Sequence, residues 1–321
     1  MRQSLAVGLT YVGAVVGAGF ASGQEIYIFF SRHGAIGGLG VIVAGTGFFL
    51  IGWLALERGR ISPGMRYHHP GVNRFVDVLT IAFLGAGLTV VVSGGGATLG
   101  LLFGWPAWLG ALGTLIAILT ISWMGVDWVV RANVLLIPYL IALTIWVSFW
   151  YVPRGTQLPS VTSFPGHWAL SALLYVSYNL FTAVLVLVGL GRTMNSRAST
   201  GAAALLGAAV LSIMALLEHR VLLSLQVVGS LPLVMAAQHI HPILGLLYGI
   251  SLWIALFTTG IAEAYALVQR LGRHRMWSLI VVYPLSGLGF QTLVATMYPI
   301  MGLFAVLIWA PLLQPRRHAK R

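Results

Sequence analysis

The amino-acid sequence predicts an all-α integral membrane protein with ten transmembrane helices. The chain is 59% hydrophobic and only 7% charged, whereas soluble domains carry about 25% charged residues. Its apolar stretches repeatedly reach the ~20 residues that a helix needs to cross ~30 Å of hydrocarbon, and they lack the strict alternation of a transmembrane β-strand. These observations exclude an ordinary water-soluble fold and favour a polytopic helical bundle.

The apolar stretches lie close together, with short connections between them. The stretch 221–238 is also apolar, but it is short and contains Gly229 and Pro232, so we expect a re-entrant loop there, with a full span as the alternative. The ten spans are predicted at 4–33, 35–56, 74–104, 106–122, 127–150, 168–190, 199–218, 241–270, 276–288 and 292–313.

The net charge of +12 indicates topology rather than nucleic-acid binding. A basic face is the usual footprint of a nucleic-acid-binding protein. Here, however, fifteen of the 18 Lys and Arg residues fall on the side of the chain termini, and only Arg32, Arg154 and Arg220 fall on the other. Cytoplasmic loops of membrane proteins carry such an excess. Both termini are therefore predicted to be cytoplasmic, with lipid and no nucleic acid as partner.

The spans form two successive sets of five. Spans 74–104 and 241–270 are both long and occupy the same place in their sets, and the first span of each set is interrupted, at 17–24 and at 177–179. Because five is odd, the second set enters the membrane in the opposite orientation, as in transporters with inverted repeats. We predict one transporter domain, with repeats at about 4–150 and 168–313, a basic tail at 314–321, and broken helices 1 and 6.

A cluster of glycines interrupts the first span. Non-helical backbone inside a membrane is tolerated only where protein buries it or where it lines a cavity. A second half-helix starting near Ser22 would present its positive end to an anion such as a carboxylate, and the carbonyls before the break would suit Na⁺. Close helix packing and a cleaved signal peptide are the alternatives. The glycines are Gly13, Gly17, Gly19 and Gly23.

Two strings in this region carry a family resemblance. Gly13-Ala14-Val15-Val16-Gly17-Ala18-Gly19-Phe20 resembles the broken first helix of the LeuT-fold amino-acid transporters. The longer string from Val16 to Ile26 resembles the YkvI-type bacterial membrane proteins of the amino acid–polyamine–organocation superfamily, a likeness that extends to 240–245 and to Tyr298-Pro299. The resemblance implies a secondary transporter of the bacterial cytoplasmic (inner) membrane, in which spans 1, 2, 6 and 7 rock against spans 3, 4, 8 and 9.

The resemblance also implies one sodium site. In LeuT-fold proteins the most widespread site takes two carbonyls from the break and a carbonyl and two hydroxyls from helix eight. Span five offers no lysine to replace the ion, so Na⁺ is favoured over a proton, and Phe20 stands where a second sodium site has asparagine. Threonine hydroxyls that bond their own helix are the alternative explanation. The expected ligands are Gly13, Val16, Ala255, Thr258 and Thr259, and no other cofactor is expected.

Polar residues of span six are expected to face the break across the solute site. Ser177, Tyr178 and Asn179 interrupt an apolar run there, and Tyr175 and Phe181 are candidates for gating. Hydrogen bonding between neighbouring helices is the alternative role. The predicted solute-binding residues are Gly17, Ala18, Gly19, Ser22, Gln24, Glu25, Ser177, Tyr178 and Asn179.

Two acidic residues within spans are further candidates, because charges in a membrane are costly and usually functional. Glu25 follows the break and is expected to bind a solute amine, to gate, or to pair with Arg32. Glu263 lies five residues past Thr258 and is expected to pair with Arg131, Arg192 or Arg197 as an inner gate. A structural ion pair is the alternative role for both acids.

Together these patterns predict a Na⁺-coupled secondary transporter of a small organic solute, an amino acid or an amine. A proton-coupled or uncoupled transporter and a passive channel are the alternatives. A channel would require rings of like polar groups along one path, and the polar groups here cluster at two points instead. An enzyme is not expected, because the acids and histidines of the spans form no paired catalytic set. The oligomeric state is left open.

Overall fold

The computed structural model describes residues 2–61, 70–124, 127–151, 167–225, 229–272 and 279–313. Within these ranges the regular structure is helical, without a β-strand. The helices are α1 (Arg2–Val15), α2 (Ala18–Ala21), α3 (Gln24–Phe29), a 3-10 helix (Ser31–Ile36), α4 (Gly37–Ile61), α5 (Pro70–Phe103), α6 (Ala107–Met124), α7 (Asp127–Trp150), α8 (His167–Gly191), α9 (Arg197–Ser224), α10 (Pro232–Ile240), α11 (Pro242–Leu271), α12 (Val282–Ser286) and α13 (Phe290–Leu313).

Several of the described helices are long and apolar enough to cross a membrane. Helix α8 is a further candidate, bent by 57° between His167–Phe181 and Ala183–Gly191, and α6 and α7 contain shorter apolar helices. The prediction of an all-α, multi-pass membrane protein is confirmed. The five unbent candidates are Ser31–Ile61, Arg74–Phe103, Arg197–Ser224, Pro242–Leu271 and Phe290–Leu307.

The predicted span at 276–288 is not confirmed as a helix. Its described part contains only a 3-10 turn and α12, which is five residues long and rises only about 8 Å. Pro284 lies inside this short helix, and Gly289 has a φ of 87°, a left-handed conformation that favours glycine. Residues 273–278 lie outside the described part of the chain.

The predicted interruption at Ser177-Tyr178-Asn179 is also not confirmed. All three residues are helical, within a helix that continues from His167 to Gly191. Their polar side chains leave the backbone ladder intact, and the Asn179 side chain donates to the Tyr175 carbonyl one turn earlier in the same helix. The bend of α8 lies later, between Phe181 and Ala183.

The first span, in contrast, loses its helical backbone at the glycines. Helix α1 ends at Val15, and Val16 and Gly17 have no regular structure before α2 begins. The second glycine-containing turn separates α2 from α3, where Gly23 has a φ of 79°. A Cβ at Gly23 would also lie 2.8 Å from Leu233 Cγ, so both backbone conformation and space require glycine there.

Backbone groups freed by this break find partners on other helices. The Tyr248 hydroxyl of α11 donates to the Ala21 carbonyl at 2.8 Å, and the Leu233 N–H of α10 donates to the Ser22 carbonyl at 3.1 Å. The Ser22 hydroxyl donates to the Gly19 carbonyl at 2.8 Å. Tyr248 is itself held by the Thr144 hydroxyl at 2.7 Å. Four segments of the chain therefore hold the break in place.

Helix α10 lies against the break instead of crossing the membrane. It is nine residues long, which corresponds to about 13 Å, and it packs on α11, α7 and α9. Helix α9 ends before it at Ser224, six residues later than predicted. Residues 221–224 therefore belong to α9, and the rest of the described stretch contains the short α10 instead of a full span, whereas residues 226–228 lie outside the described part of the chain. The role of this segment as a cover of the site stays a prediction.

Glycines in the core of the bundle leave space for large side chains of neighbouring helices. Tyr11 of α1 is fully buried, and its hydroxyl donates to the Phe48 carbonyl at 2.8 Å. Its ring occupies the space that Cβ atoms would fill at Gly52 of α4 and Gly207 of α9. Helix α1 therefore packs closely on α9 and α8, and its Tyr11 side chain reaches α4.

Ion pairs secure the surface of the bundle. Glu57 binds Arg60 and accepts a hydrogen bond of 2.9 Å from the Thr200 hydroxyl, which joins α4 to α9. Arg270 of α11 pairs with Asp77 of α5 at 3.0 Å. Each pair links or flanks helix ends, where long charged side chains reach water.

Replacing Gly59 by alanine tests the close contact between α4 and α8. A Cβ at Gly59 would overlap the backbone carbonyl of Val188, which cannot rotate away. We expect Gly59→Ala to lower the midpoint of thermal unfolding by several degrees, since overpacking costs about 1–3 kcal/mol. Gly189→Ala is the matched control, because no atom lies within 4 Å of a Cβ there. Equal midpoints for the two variants would contradict the contact.

Replacing Tyr248 by phenylalanine tests the support of the break. The change leaves the buried Ala21 carbonyl without the hydroxyl that satisfies it, which costs about 1–3 kcal/mol. We expect a lower unfolding midpoint for Tyr248→Phe in detergent or nanodiscs, and an unchanged midpoint for Tyr139→Phe, whose side chain is exposed. An unchanged midpoint for Tyr248→Phe would mean that this hydroxyl does not stabilise the break.

Candidate functional site

A cavity of about 380 Å³ lies beside the break in the first span. Helices α1, α3, α5, α7, α8, α11 and α13 contribute residues to its wall. Most of the residues predicted for solute binding, ion binding and gating share this one cavity. They are Gly13, Val16, Gly17, Gly19, Glu25, Tyr178, Asn179, Phe181, Ala255, Thr258, Thr259 and Glu263.

Four predicted residues are buried but do not line the cavity. The Ser22 hydroxyl turns back to the Gly19 carbonyl, and Tyr175 packs among Phe29, Phe30 and Phe48 with ring centroids 4.9–5.7 Å apart. Ser177 and Gln24 also lie outside the wall, because neighbouring helical residues point about 100° apart. The side chain of Ala18 lies outside the described residues.

Glu25 projects from α3 to the cavity wall. Its Oε1 atom accepts a hydrogen bond of 3.1 Å from the Tyr178 hydroxyl, and the Asn179 side chain and the Phe20 backbone also interact with the carboxyl group. Oε2 is buried and has no hydrogen-bond partner among the described residues. A Cβ at Gly19 would overlap the carboxyl group, so the Glu25 side chain would have to move if Gly19 were replaced.

Glu263 projects from α11 to another part of the same wall. Its Oε2 atom is also shielded from solvent and has no hydrogen-bond partner within the described ranges. A Cβ at Gly87 of α5 would overlap its carboxyl group, so this glycine makes the room for it. Each acid therefore faces a glycine of a neighbouring segment.

The two acids have no basic partner in the part of the chain that the structure describes. Its ion pairs join Arg60 to Glu57 and Arg270 to Asp77, and the cavity wall contains no Lys, Arg or His. Arg32 is exposed, and the side chain of Arg131 lies outside the described residues. Pairing of Glu25 with Arg32, and of Glu263 with Arg192 or Arg197, is not observed among the described residues, and the predicted pairing with Arg131 cannot be followed there.

The five residues predicted as sodium ligands all line the cavity. Carbonyls at the end of α1 lose their helical partners, because α1 stops at Val15. On α11, the Thr258 hydroxyl donates to the Ala255 carbonyl at 3.1 Å. This is a hydrogen bond of a threonine to its own helix, the role that was the alternative to ion binding. These two oxygens are close enough to share one cation. The described residues contain no group of three His, Cys, Asp or Glu side chains that would suit a transition metal.

Aromatic rings form another part of the wall. Tyr298 of α13 stacks on Tyr178 with ring centroids 4.2 Å apart, and Phe181 packs edge-on against Phe83 at 4.5 Å. Tyr298 was not among the predicted site residues. Its only sequence signal is the Tyr298-Pro299 pair, because one chain cannot reveal which face of an apolar helix lines a cavity.

Glu218 is a second residue that sequence reasoning missed as a site candidate. It is fully buried on α9, and neither carboxyl oxygen has a hydrogen-bond partner among the described residues. Glu25 and Tyr175 lie within range of electrostatic interaction with it. It lies outside the cavity wall, behind the break.

The chain resembles two curated bacterial proteins over nearly its whole length. It is 28% identical to the uncharacterized membrane protein YkvI of Bacillus subtilis (strain 168) over 336 aligned positions, which cover 96% of each chain. It is 27% identical to YyaD of the same organism over 322 positions, which cover 92% of this chain and 91% of YyaD. No protein-family model matches.

Solved transporters share the fold. A manganese transporter from Eremococcus coleocola, crystallised with an aromatic bis-isothiourea substituted compound, superimposes with a TM-score of 0.60 at 13% identity, covering 97% of this chain and 78% of its own. MhsT in complex with L-phenylalanine gives a TM-score of 0.60 at 16% identity, covering 96% and 86%. The predicted resemblance is therefore confirmed: YkvI and YyaD are homologues of this chain, and its fold is that of the LeuT-type transporters.

Proposed function

We propose that this protein is a secondary transporter that moves an amino acid or a related amine across the bacterial cytoplasmic membrane together with Na⁺. One observation carries the proposal: a single cavity at the broken helix brings together the end of α1, carboxyl groups from α3 and α11, and hydroxyl groups from α8, α11 and α13. Its volume of about 380 Å³ falls at the lower end of the range for small-molecule sites. MhsT, which shares the fold, is crystallised with an amino acid.

In this proposal the ten spans form two inverted repeats of five, with both termini cytoplasmic. The interrupted first span and the bent α8 stand first in their repeats. The long helices α5 and α11, which stand third, pack against each other. Alternating access would move the first and sixth spans, with their neighbours, against this pair.

The polarity of the site supports an amino acid. The backbone amides around Gly17 and Gly19 lie at the start of α2, beside the cavity. Amide groups at a break attract a carboxylate, and Glu25 offers an acceptor for the neighbouring ammonium group. Tyr178 and Asn179 hold Glu25 in that position.

Na⁺ coupling rests on the oxygens of Gly13, Val16, Ala255, Thr258 and Thr259. All five residues line the cavity next to the solute groups, so an ion there would sit within the same compartment as the solute. A proton-coupled transporter is the second candidate, because Glu25 and Glu263 are acids without a basic partner in the described ranges. A passive channel fits less well, because the polar groups surround one cavity instead of a continuous path.

Flux into proteoliposomes distinguishes these functions. A coupled transporter saturates with solute and concentrates it when a Na⁺ gradient is imposed, whereas a channel does neither. A panel of amino acids and amines is first screened by thermal stabilisation of the purified protein in Na⁺ and K⁺, since a ligand that binds the folded state raises its stability. Uptake driven by a proton gradient alone would identify the second candidate instead.

Threonine substitutions test the ion ligands. We expect Thr258→Ala and Thr259→Ala to raise the Na⁺ concentration for half-maximal solute binding by about tenfold each, because one oxygen ligand is lost. Thr46→Ala is the matched control, since this exposed threonine bonds its own helix at Ile42 as Thr258 bonds Ala255. Unchanged Na⁺ dependence in both site variants would rule out the assigned ligands.

A further inference from the structure

The cavity contains two acidic side chains, one more than the single ammonium group of an ordinary amino acid can pair with. Glu25 and Glu263 both line it, and each has one buried oxygen without a hydrogen-bond partner among the described residues. Among the described residues, the wall contains no Lys, Arg or His. Moving a carboxylate out of water is costly unless an opposite charge accompanies it, so we expect the cargo to bring positive charge.

The two acids face different parts of the cavity. Glu25 is bonded to Tyr178 on α8, and Glu263 fits against Gly87 on α5. Tyr298 interacts electrostatically with both acids, and its ring stacks on Tyr178. A cargo that reaches both carboxylates therefore passes an aromatic face, which suits an aliphatic chain or a cation.

The positions of Thr259 and Glu263 on α11 distinguish the role of Glu263 from that of the proposed ion site. Thr259 and Glu263 are four residues apart on α11 and so lie on one face, one turn from each other. The proposed Na⁺ occupies the threonine end of that face. Glu263 is left to meet the far end of the solute.

We propose that the solute is a cationic amino acid, with its α-ammonium group at Glu25 and its side-chain ammonium group at Glu263. This inference rests on the proposed transport function and names the class of its solute. Charge balance supports it. Two carboxylates contribute −2, a solute with two ammonium groups and one carboxylate contributes +1, and Na⁺ contributes +1. A neutral amino acid with Na⁺ would leave one negative charge buried, and a diamine would balance the site without Na⁺.

Three ligands of similar chain length that differ in their charged groups test the proposal. Lysine carries all three charged groups, norleucine lacks the side-chain ammonium group, and cadaverine lacks the carboxylate. Thermal stabilisation of the purified full chain is measured against the concentration of each ligand, in Na⁺ and in K⁺. We expect half-saturation by lysine in Na⁺ at a concentration at least tenfold lower than by norleucine, which corresponds to one charge-assisted hydrogen bond.

Variants of Glu263 then test whether this residue contacts the side-chain ammonium group of the solute. Glu263→Gln should bring the half-saturating concentration of lysine to that of norleucine, without changing norleucine itself. Asp77→Asn is the matched control, because this exposed acid pairs with Arg270 at the surface, outside the cavity wall. Should Glu263→Gln fail to fold, Gly87→Ala displaces the same carboxyl group without removing it, and Gly85→Ala, with open space at its Cβ, is its control.

The possible outcomes separate this inference from the proposed function. Equal half-saturation by lysine and norleucine in the unmodified protein would overturn the cationic solute but leave amino-acid transport intact. Stronger stabilisation by cadaverine than by lysine, independent of Na⁺, would replace the amino acid by a diamine. A lysine preference that survives both Glu263→Gln and Gly87→Ala would refute the role of Glu263. No stabilisation by any amino acid or amine would contradict the proposed function itself.

Discussion

The hydrocarbon environment makes the broken first span the constraint on which the rest of this structure depends. Water is absent there, so each backbone group released by the break needs a partner within the protein. Tyr248, Leu233 and Ser22 supply those partners from α11, α10 and the break itself. The helices that supply hydrogen-bond partners to the break also pack around it. The cavity lies beside the break, where side chains of the surrounding helices leave space. The contacts that support the backbone of the break therefore also shape the candidate site.

The same arrangement explains why glycine recurs at the site. Gly19 and Gly87 have no Cβ, and the space is taken by the carboxyl groups of Glu25 and Glu263. Acids in a membrane span are tolerated when they face a cavity or a partner. Here the glycines open the cavity for them, and Tyr178 holds one of them by a hydrogen bond. The result is a compartment that contains two acidic side chains and is otherwise lined largely by apolar and aromatic residues.

Much of this was predictable from the sequence, because a membrane imposes strong patterns. Hydrophobic length predicted the helical class, and the glycine cluster predicted the interruption between α1 and α2. The position of Thr258 in the wall of the same cavity was expected only from the family resemblance. The predictions failed where packing decides: Ser177-Tyr178-Asn179 remain helical, and 276–288 contains only the short helix α12 among its described residues. Tyr298 and Glu218 were missed because an apolar helix does not reveal which face lines a cavity.

The central claim is that solute and Na⁺ occupy the one cavity at the break and stabilise each other's binding. Coupling of this kind is reciprocal, so the factor by which Na⁺ raises solute affinity equals the factor by which solute raises Na⁺ affinity. Equilibrium titration of the purified protein measures both factors: solute with and without saturating Na⁺, then Na⁺ with and without saturating solute. The account predicts two equal factors, each well above one. A Na⁺ affinity that does not change when solute saturates the site would contradict it.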